Sequence, residues 1–164
     1  MVTLEKTIAV VNAIIEEAKN VETDSGFKLY LYGSTVNGHG RDIDVIIEVS
    51  EELFEQYKGT CLFESDGIIP YSNRLLTPFP SHYWSYFSPQ AERSKHALIA
   101  IGVELDSIVP LLGDVILDAV CLPEGWNNPE SEVFKRLMED FEGMIDPNFL
   151  VNAAKGAKQM YQRK

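Results

Sequence analysis

The sequence predicts a single α/β (α+β) domain spanning residues 1–164, a small mixed β-sheet with helices packed on one face. Three observations carry this. Residues 42–49, DIDVIIEV, alternate with period two, Ile43, Val45, Ile47 and Val49 forming one apolar row. Residues 3–20 repeat apolar side chains at helical spacing. A second apolar strand, residues 113–123, ends at Pro123 after a long stretch with helical segments. The chain shows no internal repeat and no linker that would divide it, and 164 residues is about the length of one domain.

The elements follow in order. Leu4, Ile8, Val11, Ile14, Ile15 and Ala18 define the apolar stripe of the first helix, with Thr3 as its start signal. A polar turn over 21–26 precedes a strand at 28–32, KLYLY. Residues 33–41 hold three glycines and the Asn37-Gly38 pair, and the 42–49 strand comes next. Ser50 reads as the N-cap of a short helix over 50–59, with two acids in its first turn. Residues 60–71 suit a strand pair, and 77–89, with three prolines and five aromatics, an irregular segment. A helix is expected over 90–104, the strand over 113–123, and a helix over 129–144 with Pro129 near its start and Gly143 near its end. A last helix runs over 147–162 from Pro147.

Composition removes several function classes. Fourteen Lys and Arg against 25 Asp and Glu leave a net charge of −11, which argues against broad binding to a phosphate backbone. Lys155, Lys158, Arg163 and Lys164 read as a solvated basic tail. No run approaches the roughly 18 apolar residues of a membrane span, and the first twenty residues do not read as a signal peptide, so a cytoplasmic, membrane-free protein is expected. Cys61 and Cys121 lack CxxC or Cys/His spacing and read as buried free thiols in a reducing compartment.

One stretch carries chemistry: Leu31-Tyr32-Gly33-Ser34, seven residues, then Asp42-Ile43-Asp44-Val45. Asp42 and Asp44 leave the same face of a strand, their Cα atoms about 6.5–7 Å apart. Carboxylates so spaced suit Mg²⁺, which takes oxygen ligands and keeps water and substrate phosphates in its shell. Gly33 and Ser34, directly after a strand, offer backbone N–H groups and a hydroxyl to a phosphate. Together they describe a metal-dependent phosphoryl or nucleotidyl transfer site.

The pattern LYGS…DIDV resembles the signature of the DNA polymerase β-like nucleotidyltransferase superfamily, in its small form, sharply over 28–49, more loosely over 113–123 and not elsewhere. The resemblance implies a third carboxylate on a neighbouring strand, and Asp118 within Ile116-Leu117-Asp118-Ala119-Val120 matches it best. It further implies that Asp42, Asp44 and Asp118 hold two Mg²⁺ ions and that Gly33 and Ser34 bind the triphosphate of an NTP donor. Asp118 would help activate a hydroxyl acceptor, which attacks the α-phosphorus and displaces pyrophosphate. The loop from Thr35 to Arg41 is shorter than the family's usual one, which bears on where Ser34 sits relative to the metals.

Competing readings stand beside this one. Residues 28–49 also suit a plain β-hairpin through Asn37-Gly38, its acids on the wet side of a half-exposed sheet. Asp114, Glu104 and Asp106 are alternatives to Asp118. A catalytically inactive nucleotidyltransferase-like binding or antitoxin-type partner protein is the second functional reading, and an acidic interaction module the third. His39, His82 and His96 form no site, and the aromatic run from Phe79 to Phe87 is read as core, lid or oligomer contact before base-stacking surface. GxxxxGK[ST], HExxH, GxSxG and GxGxxG are absent. The acceptor (small molecule, protein or RNA end) leaves no mark in the sequence.

Overall fold

The computed structural model describes residues 2–19, 26–33, 36, 42–56, 89–113, 115–140 and 147–163. Its elements are α1 (Leu4–Lys19), β1 (Phe27–Tyr32), β2 (Asp42–Val49), α2 (residues 51–56), α3 (Pro89–Ile99), α4 (Leu105–Leu112), β3 (Ile116–Pro123), α5 (Glu132–Asp140), α6 (Pro147–Gly156) and β4 (Lys158–Arg163). The strands form a four-stranded mixed sheet in the order β3-β2-β1-β4, accompanied by helices. This is the α+β class the alternation at 42–49 predicts. The β2–β3 pair is parallel, while β1 pairs antiparallel with β2 and β4. A parallel pair needs a long crossover, supplied by the helical stretch between β2 and β3.

Local signals explain the well-anticipated elements. The Lys6 N–H donates to Thr3 Oγ1 at 3.1 Å, so Thr3 caps α1. The Leu53 N–H donates to Ser50 Oγ at 3.2 Å, confirming Ser50 at the start of α2. In α5 that role falls to Ser131, whose Oγ accepts from the Phe134 N–H at 3.1 Å. That helix therefore starts three residues after Pro129.

Three expectations are corrected. The helix over 90–104 is α3, ending at Ile99, followed by a separate α4. Gly102 takes a φ of +79°, which breaks the first helix and starts the second. The last helix stops at Gly156, and Lys158–Arg163 is strand β4, in which Lys158 is exposed, as is Lys155 before it, while Arg163 is packed rather than solvated. There the Arg163 guanidinium lies 4.7 Å over the Phe27 ring and donates to the Ala18 carbonyl at 2.9 Å, tying β4 to β1 and α1. The expected strand pair at 60–71, most of the 77–89 segment and Cys61 lie outside the described residues, while Cys121 is a buried free thiol.

Pairing fixes which side chains share a face, because residues directly opposite point the same way. One face carries Phe27, Leu29 and Leu31 of β1, Ile43, Val45, Ile47 and Val49 of β2, and Leu117, Ala119 and Cys121 of β3. All are buried, as are Val10, Val11, Ile14, Ile15 and Ala18 on α1. Each fully buried aliphatic side chain contributes about 1.5–3 kcal/mol, so this layer is the main driving force of the fold. The other face carries Tyr30 and Tyr32, Asp42, Asp44, Ile46 and Glu48, then Asp118, Val120 and Leu122. It is not the wet side of a half-exposed hairpin. Ile46 is 0% exposed, Glu48 5% and Asp118 8%.

Candidate active site

The antiparallel β1–β2 register sets Tyr32 opposite Asp44, and the parallel β2–β3 register sets Asp44 opposite Asp118. Asp42 lies two residues before Asp44 on the same face, opposite Ile116. Adjacent strands lie about 4.8 Å apart, whereas i and i+2 on one strand are separated by about 6.5–7 Å. The tight pair is therefore Asp44–Asp118 across the ladder, with Asp42 outboard along β2. The structure brings all three sequence-predicted acids to one end of one face.

Gly33 closes this end. It follows β1 directly with a φ of +75°, and a Cβ there would fall 2.7 Å from Asp44 Oδ2. The absence of a side chain at this position is what lets the Asp44 carboxylate lie against the backbone after Tyr32. Ser34, His39, Arg41 and the aromatic run lie outside the described residues. Among the alternative acids, Glu104 is the N-cap residue of α4 and Asp106 lies in its first turn. With Lys95, Ile99 and Leu105 they line a groove of about 320 Å³ that includes none of the three aspartates. Asp114 lies outside the described residues.

Among the described residues, no three His, Cys, Asp or Glu side chains form a ready-made metal-binding group. Mg²⁺ binds through one or two carboxylates and completes its shell with water and substrate phosphates. The opposed Asp44–Asp118 pair with Asp42 beside it fits that mode.

Sequence reasoning missed a second polar cluster farther along the same face. The Trp126 indole N–H donates to Glu48 Oε2 at 3.0 Å, and Lys28 Nζ lies 3.7 Å from Glu48 Oε1. Tyr30 packs its ring edge-on to Trp126 at 5.8 Å. Burial, followed by the Glu48 charge and a hydrogen bond to it, pushes the Tyr30 phenol up to about 12, so it stays protonated. Glu48 shares the parity of Asp42 and Asp44, the one signal in the sequence that pointed here. Its chemistry differs: this carboxylate is engaged by an indole, a phenol and an ammonium, which makes it a structural anchor for the Trp126 turn.

No protein-family model, no curated protein and no solved structure matches the chain. No helix among the described residues is long and apolar enough to cross a membrane.

Proposed function

We propose that this protein is a Mg²⁺-dependent nucleotidyltransferase that moves a nucleoside monophosphate from an NTP to a hydroxyl acceptor and releases pyrophosphate. The observation that carries the reading is the register pair Asp44–Asp118, with Asp42 on the same face and Gly33 closed against Asp44. Like charges directly opposite one another destabilise a sheet, and a divalent cation between them converts that repulsion into attraction. A partly buried acidic pair at a strand end is thus well placed to bind a cation together with an anionic substrate.

Asp44 and Asp118 would hold the metal, with Asp42 beside them on the same face. Bound Mg²⁺ would supply charge neutralisation for the phosphates and for the attacking and leaving oxygens of an in-line displacement. The chain's own residues do the rest. Asp118, held within the sheet at 8% exposure, takes the acceptor hydroxyl's proton as its oxygen bonds to the α-phosphorus and the bond to pyrophosphate breaks. Gly33, in the turn after β1, would offer its backbone to the triphosphate, and the resemblance assigns the neighbouring Ser34 to the same task. Tyr32, 9% exposed, stands opposite Asp44 and flanks that side of the acidic pair.

Calorimetry of each NTP in Mg²⁺, on wild type and on Asp42→Asn/Asp44→Asn, tests the reading. Metal-dependent binding that disappears in the double variant supports it and opens an acceptor screen. A wild-type protein that binds no NTP removes it in favour of a non-catalytic partner protein.

A further inference from the structure

We propose that Ser94 is a positioning residue for Asp118, its hydroxyl standing where a residue of a further parallel strand would pair. This rests on the reading of Asp118 as part of the metal site. β3 is the outer strand of the described sheet, with β2 on its inner side. Successive residues of a strand turn their N–H and C=O groups to opposite sides. Asp118 turns its backbone towards β2, and Leu117 and Ala119 turn theirs to the outer edge.

That edge is closed by one side chain. The Ser94 hydroxyl, on α3, donates to the Leu117 carbonyl at 3.1 Å and accepts from the Ala119 N–H at 2.8 Å. One residue bonding the carbonyl before and the N–H after its opposite number is the pattern of a parallel ladder. Ser94 reproduces it with a single oxygen, and Asp118 is the residue it straddles. Ser94 is 0% exposed, so water does not substitute for it. Asp118 is thus fixed from both sides, by β2 on one and by Ser94 on the other. The Asp118 carboxylate leaves the sheet on the face it shares with Asp44, from a backbone held along both edges of β3. Supporting groups of this kind orient metal-binding carboxylates, and their loss costs about 10–100-fold in metal affinity.

The test is Mn²⁺ titration followed by electron paramagnetic resonance, with no nucleotide present, on wild type, Asp44→Asn, Ser94→Ala, Ser94→Thr and Ser94→Cys, each checked for folding by circular dichroism. Wild type binds and Asp44→Asn binds far more weakly. Ser94→Ala loses about tenfold or more in affinity. Ser94→Thr, which keeps the hydroxyl, stays near wild type, and the weaker hydrogen-bonding thiol of Ser94→Cys falls between. A folded Ser94→Ala protein with wild-type affinity overturns the proposal, as does a threonine variant as weak as alanine. Should the alanine variant not fold, the threonine and cysteine variants decide, and equal affinity in both overturns it. A wild type that binds no Mn²⁺, or an Asp44→Asn variant that binds as wild type does, overturns the metal site itself and the role of Ser94 with it. A flat Ser94 series beside a weakened Asp44→Asn overturns Ser94 alone.

Discussion

Gly33 and Asp44 are in closer contact than any side chain at position 33 would allow: a Cβ there would sit 2.7 Å from Asp44 Oδ2. Gly33→Ala is expected to act twice. The φ of +75° costs an L-residue about 1–2 kcal/mol, read as a lower urea midpoint. The added methyl also displaces the Asp44 carboxylate, so Mg²⁺-dependent NTP binding falls by about the tenfold or more typical of a disturbed ligand shell. A variant that loses stability but binds NTP normally would show that Asp44 tolerates the displacement, and the close approach would then be packing alone.

Trp126 and Glu48 offer a test of which interactions hold the sheet face. Trp126→Phe keeps an aromatic ring but deletes the donor to a carboxylate 5% exposed, and is expected to cost about 1–3 kcal/mol. The Arg136–Glu51 ion pair is shorter, at 2.6 Å, yet its side chains are 54% and 45% exposed. Arg136→Ala should therefore cost no more than about 1 kcal/mol. Urea denaturation of both variants gives the ranking, and a larger loss for Arg136→Ala would reverse this account.

The Tyr30 phenol makes stability depend on alkali. Its pKa is about 12 in the folded protein against 10 for the free side chain, so the folded state holds the proton more tightly. The contribution is whole below pH 10 and is lost as pH rises towards 12. Across that window the slope is at most about 1.4 kcal/mol per pH unit, that of a single proton. The measurement is the difference between wild type and Tyr30→Phe, which isolates this phenol from every other effect of alkali. Unfolding free energies of the two should converge as pH rises through this range. A constant gap would assign the proton elsewhere.

The parts of this structure that were legible in the sequence are those written in local periodicity. β2 announces itself by alternation, and β3 by the apolar run Ile116-Leu117-Asp118-Ala119-Val120 with its single acid. The register sets Asp118 opposite Asp44. β4 was missed because an edge strand needs little apolar patterning: KQMYQR gains its place from pairing with β1 and from Tyr161 and Arg163 against Phe27. No element was expected over 105–112, where Pro110 lies inside an eight-residue helix anchored by buried Leu105, Ile108 and Leu112. Trp126 meets Glu48 across 78 residues of chain, and Ser94 meets β3 across 23 and 25. Such contacts have no local signature, and they are the ones that hold the acidic face in place.

Asp118→Asn separates chemistry from architecture. The substitution keeps shape and volume, and the Ser94 bonds to Leu117 and Ala119 involve backbone groups that it does not touch. The fold and its melting temperature should therefore stay close to wild type. What the amide removes is the charge facing Asp44 and the capacity to take a proton. If Asp118 is the proton acceptor for the attacking hydroxyl, transfer should slow by about 10²–10⁴-fold. With an acceptor identified, steady-state kinetics should place most of that loss in kcat. Full activity in a folded Asp118→Asn protein would move the proton-accepting role to another group and leave Asp118 as a strand residue opposite the metal site.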